Sequence, residues 1–190
     1  MIENGLNTNR TSPAKIIALV GIMAASVECA KLALMFLPNI EAVTLLLALY
    51  GYIFGIWGVV SAVVFVCIEP MLFGFGSWVV SYFIYWPLVA LVFMILGRLR
   101  VKNRLILTGT AVLLTFFFGI LTSLVDLGLF SGFFENFLER FLIYYARGVY
   151  FYIAQIITNL VLFLFLFKPL CKKLAKIKCR FIKSESDPNE

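Results

Sequence analysis

Apolar runs long enough to cross a bilayer recur along this chain, and they limit what it can fold into. A bilayer core takes roughly 20 apolar residues per helix. Residues 16–37, 78–96, 105–125 and 141–167 each meet that length. Pro13 sits just before the first run, where a helix start tolerates proline, and Pro38 is expected to end it. Lys168 and Pro169 are expected to close the last. Of 190 residues, 63% are hydrophobic and 14% charged. A soluble domain of this size has too much surface to hide that share. The expected class is an all-α integral membrane protein in a single domain, with the lipid bilayer as its solvent.

Residues 42–68 can be read two ways. They suffice for one tilted helix or for two short ones, and Gly51, Gly55 and Gly58 in the middle suit a tight hairpin. Charge decides between them. With two helices here the bundle has six, and Arg10, Lys15, Arg98, Arg100, Lys102, Arg104 and the seven bases from Lys168 to Lys183 share one side. That gathers 13 of 16 basic residues. The other side then carries Glu41, Glu69, Asp126, Glu135 and Glu139, with Arg140 as its one base. With one helix the two large basic clusters fall on opposite sides, against the positive-inside rule. The sequence therefore predicts a six-helix transmembrane bundle, helices two and three short, with both termini cytoplasmic. Residues 1–13 form an N-terminal tail, 14–170 the bundle and 171–190 a basic C-terminal tail. The first run outlasts a signal-peptide core of about 7–15 residues, so it is read as retained.

Net charge is +6, but the bases flank apolar spans rather than lining a soluble face, which argues against nucleic acid. Histidine is absent and the four cysteines form no CxxC. The expectation is reduced, structural cysteines and no metal, cofactor or catalytic centre. No P-loop, HExxH or GxSxG occurs. An enzyme is the least favoured reading, and any transport would draw on a gradient or on partner subunits.

Ionisable groups inside spans are costly, so each is a site hypothesis. Glu28 and Lys31 lie three apart on one face of helix one, Glu28 about 18 Å beyond Ile16, in the outer half. They either line an outward-facing cavity or form an ion pair that locks helices together; the two readings stand level. Arg147, Phe151, Gln155 and Asn159 recur at spacing four on the last helix, readable as a binding wall with Tyr144, Tyr145, Tyr150 and Tyr152 crowding its outer end. Tyrosines there also suit the interfacial belt, and Gln or Asn can join helices. That bland reading is preferred for the tyrosines, and a binding role for Arg147. Glu69-Pro70 is expected to end helix three before an external loop, Gly74-Phe75-Gly76. Beyond that loop Trp78, Tyr82, Tyr85 and Trp86 could frame a gated apolar pocket or an interface turn. Ala14, Ala18, Gly21, Ala25 and Cys29 form a small-residue strip on helix one, facing either the bundle or a partner.

Six short helices, a basic tail and this strip resemble the substrate-binding S component of an energy-coupling-factor vitamin transporter. The matching positions are Ala14, Ala18, Gly21 and Ala25, with Ile22 interrupting the register. Leu37-Pro38-Asn39-Ile40-Glu41, Val43-Thr44-Leu45-Leu46 and Phe167-Lys168-Pro169-Leu170 are similar to segments of the subgroup that includes cobalamin carriers. The resemblance implies a multi-pass protein of the bacterial plasma membrane that binds a vitamin from outside. Cobalamin is the first guess, then riboflavin or another vitamin. It also implies that the helix-one strip docks on a transmembrane coupling subunit carrying two ATPase subunits. Asn39, Glu41, Phe75, Trp78, Tyr82 and Tyr85 join Glu28, Lys31 and the helix-six residues as expected ligand contacts. The rival readings are a non-catalytic structural subunit of a cell-envelope complex and a small gradient-driven carrier.

Overall fold

A computed structural model of the chain describes residues 12–37, 40–130 and 136–183. The described residues are helical with no strand, and they form six helices. These are α1 (Pro13–Leu34), α2 (Val43–Phe54), α3 (Ile56–Phe73), α4 (Ser77–Arg98), α5 (Arg104–Phe130) and α6 (Phe137–Leu162). The last continues through a π turn (Phe163–Phe167) into α7 (Lys168–Lys183) as one rod. Five of the six are long and apolar enough to cross a membrane, and α2 is the exception.

Local chemistry sets several boundaries. Ser12 caps α1, its hydroxyl accepting from the Lys15 amide, and Pro13 takes the first helical position, where a missing N–H leaves nothing unpaired. α1 stops at Leu34, earlier than the residue 37 expected; Pro38, the expected terminator, lies outside the described residues. α2 and α3 are joined by Gly55 alone, at φ +65°, a conformation that would strain a side chain. The chain reverses there because the helices can approach closely. A Cβ on Gly58 would stand 2.3 Å from the Tyr50 carbonyl, and one on Gly51 would stand 2.1 Å from the Ala90 carbonyl oxygen of α4. The expected hairpin in residues 42–68 is therefore present.

Two expectations need correcting. α3 is not short: it has 18 residues and runs through Pro70 to Phe73, because the apolar sequence continues until Gly74, at φ +80°, supplies the stop. Pro169 does not end the last helix. Its ring crowds the preceding turn and its nitrogen cannot donate, and the π turn just before it absorbs both defects. The helix thereby continues into the basic segment from residue 171, as far as Lys183.

α2 occupies the centre, packed against α1, α3, α4, α6 and α7, with ten of its residues buried. Around it Phe54, Phe65, Tyr85, Trp86, Phe93, Phe163 and Phe167 form a fully buried aromatic core. The outer surface is apolar as well: Ile17, Ile22, Leu113, Phe117 and Ile157 are all exposed.

Charge is divided between the ends. Tyr52 donates to the Val101 carbonyl at 2.8 Å, and the buried Lys178 ammonium donates to the Ile53 carbonyl at 2.7 Å. These bonds bring the C-terminus of α2, the α4–α5 connection and α7 to one end, rich in Lys and Arg. Glu41, Glu69, Asp126 and Glu139 belong to the opposite, acidic end.

Candidate functional site

Two features meet toward the acidic end: a buried polar centre and a cleft beside it. The centre begins on α1 and α3. The Lys31 ammonium pairs with Glu69 Oε2 and lies 4.3 Å from the centre of the Phe73 ring and 5.6 Å from that of Tyr82. Glu28, one turn earlier on the same face of α1, lies beside Glu69, while the Lys31 ion pair is with Glu69. Both carboxyls are buried, and no donor reaches either Glu28 oxygen or Glu69 Oε1.

Deeper in the bundle, Asn159 Nδ2 of α6 donates to Thr115 Oγ1 of α5 at 2.9 Å and approaches Thr44 of α2 at 3.5 Å. Asn159 Oδ1 is buried without a partner, and so is the Tyr85 hydroxyl close by. One turn toward the acidic end, Gln155 Nε2 donates to Glu41 Oε1 at 2.7 Å and ties α6 to the α1–α2 connection. Burial pushes the Glu41 carboxyl up from its ordinary range, and the Gln155 hydrogen bond acts in the opposite direction. A buried polar atom without a partner loses its hydration uncompensated. Several converging in one region mark a place where a ligand's groups could complete the bonding.

The cleft arises because α5 packs against both α4 and α6 and forms its floor. It holds about 320 Å³ and is lined by Ser77, Trp78 and Ser81 of α4, Thr122 and Asp126 of α5, and Gly148, Phe151 and Tyr152 of α6. The Tyr152 hydroxyl lies 3.1 Å from that of Thr122 and 3.3 Å from that of Ser123, which fixes the ring as a wall. Tyr82 links the two features. Its ring lies 5.0 Å from Trp78 at the cleft and 5.5 Å from Trp86 in the core, and it also faces Lys31.

The expected contact residues divide accordingly. Glu28, Lys31, Glu41, Tyr82, Tyr85, Gln155 and Asn159 belong to the polar centre or its border, and Trp78 and Phe151 line the cleft. Three stand elsewhere. Phe75 is exposed on the α3–α4 turn. Tyr144 lies on α6 outside the cleft lining, and the exposed Arg147 guanidinium lies 5.8 Å from its ring. The spacing-four stripe is split because only Gln155 and Asn159 of α6 are buried, Arg147 and Phe151 lying nearer the acidic end of that helix. Asn39 lies outside the described residues. Ala14, Ala18, Gly21 and Ala25 are all exposed on one outer face of α1, so the strip does not pack inside this chain.

Sequence reasoning missed Glu69, Thr44, Thr115 and Asp126 as site residues, and Tyr152 lines the cleft although the interfacial-belt reading is preferred for the tyrosines. On sequence grounds Pro70 places Glu69 in a loop, and a span ending at residue 125 does the same for Asp126. Among the described residues no group of three Asp, Glu, Cys or His is placed to hold a metal ion. Comparison with protein-family models, curated proteins and solved structures finds no match.

Proposed function

We propose that the chain is the membrane-embedded substrate-binding subunit of an energy-coupling-factor vitamin transporter. One observation carries the reading: incompletely bonded polar groups on α1, α3, α4 and α6 converge inside an otherwise apolar bundle, beside a cleft at one end. In this reading the basic end faces the cytoplasm, following the positive-inside rule, and the cleft faces outward. The uncovered small-residue face of α1 supports docking, because Ala14, Ala18, Gly21 and Ala25 would let a helix of a coupling subunit approach closely. Two ATPase subunits on that partner would supply the energy.

The test is direct. Protein purified in detergent is extracted for mass spectrometry and titrated with a vitamin panel including cobalamin, riboflavin, thiamine, folate, biotin and pantothenate. One tight ligand is expected, and failure of every member to bind would discard the reading.

The second reading, a structural subunit of a cell-envelope complex, draws on the same polar pairs. Lys31–Glu69 and Asn159–Thr115 join helices without any ligand. It predicts that Glu28→Gln, Lys31→Met and Arg147→Ala change no ligand affinity.

A further inference from the structure

We infer that the ligand is an organic cation carrying an aromatic ring, with its positive group at Asp126 and its ring against Trp78 and Phe151. This names the substrate class of the proposed site and rests on that reading. Three observations lead to it. Asp126 is the only charged side chain among the described residues lining the cleft, where the polar company is neutral hydroxyls. The walls are aromatic on both sides, Trp78 from α4 and Phe151 with Tyr152 from α6, so a cation between them meets the negative faces of rings as well as a carboxylate.

The third is that no base shares the lining among the described residues: Arg147, the nearest along α6, lies by Tyr144. With Asp126 as its charge, the cleft attracts a cation and repels an anion of the same size.

Isothermal titration of the full-length protein in detergent, with three vitamins as probes, tests this. Thiamine has a fixed positive charge on a ring, riboflavin is a neutral ring system and biotin is an anion. Thiamine is expected to bind at least about tenfold more tightly than the other two. Asp126→Asn should remove about that factor, and Asp126→Glu should restore most of it, with unchanged melting temperatures as the folding control. Tighter binding of riboflavin or biotin, or an Asp126→Asn protein with undiminished thiamine affinity, would overturn the cation inference and leave the transporter reading standing. If nothing binds across the full panel, both fall together.

Discussion

The Lys31 ammonium of α1 and the Glu69 carboxylate of α3 form an ion pair inside the bundle, the Glu69 side chain fully buried and the Lys31 side chain 21% exposed. Removing one member of a buried pair leaves the other charge uncompensated, a loss of about 3–5 kcal/mol, whereas replacing both with apolar groups is often neutral. Lys31→Met should therefore lower the thermal midpoint in detergent far more than the double variant Lys31→Met with Glu69→Leu. Equal losses would show that the two side chains do not depend on each other.

Asn159 separates stability from binding. Its bond to Thr115 is interhelical, and such bonds within membranes contribute about 0.6 kcal/mol on average and at most about 1.7. Asn159→Leu should change stability by no more than that. Vitamin affinity, which on the proposed reading uses the unpaired Asn159 Oδ1, should fall much further. Denaturation and titration of the same preparation check both.

The glycines of α1 and α2 should respond in opposite ways. Gly51→Ala places a methyl group 2.1 Å from the Ala90 carbonyl oxygen, so α2 and α4 must separate, with a loss of about 1–3 kcal/mol or more. Gly21→Ala meets nothing within 4 Å and should leave stability unchanged within about 0.5 kcal/mol. On the outer face of the same helix, Ala18→Trp or Ala25→Trp should abolish uptake in cells while vitamin binding by the purified protein survives. Loss of binding instead would count against a docking role for that face.

Glu41 gives a pH dependence of defined sign. Burial raises its carboxyl, so the folded protein holds that proton more tightly than the unfolded chain does. Its contribution to stability is complete below the ordinary carboxylate range and fades as pH rises through the raised value. In Glu41→Gln that fading is absent. The midpoint difference between variant and wild type should therefore shift in favour of the variant as pH climbs, and a pH-independent difference would refute the assignment.

Much of the bundle was legible because charge and hydropathy act over whole segments. The six-helix count followed from where Arg98 to Arg104 and the α7 lysines fall, and Gly51, Gly55 and Gly58 marked the hairpin. Proline misled twice. Pro70 and Pro169 were read as stops, yet α3 runs on to Gly74 and a π turn accommodates Pro169. The Pro70 error removed Glu69 from helix three and so hid the partner of Lys31. Thr44 and Thr115 were invisible for a different reason: a hydroxyl in an apolar helix becomes informative only when a third helix brings Asn159 to it. Gln155 and Asn159 were identified by spacing, whereas Arg147 and Phe151 share their stripe but lie beyond the buried stretch of α6.

The brevity of α2 has a consequence for how such a chain is made. Its 12 residues span about 18 Å, well short of a bilayer core of about 30 Å. On the membrane reading it cannot enter as an independent segment and must insert with α3 as one hairpin, hinged at Gly55. The groove at Gly51 then waits for α4, the next helix to leave the ribosome. A nascent chain interrupted before residue 98 would hold a central helix with its close contact to α4 unmade.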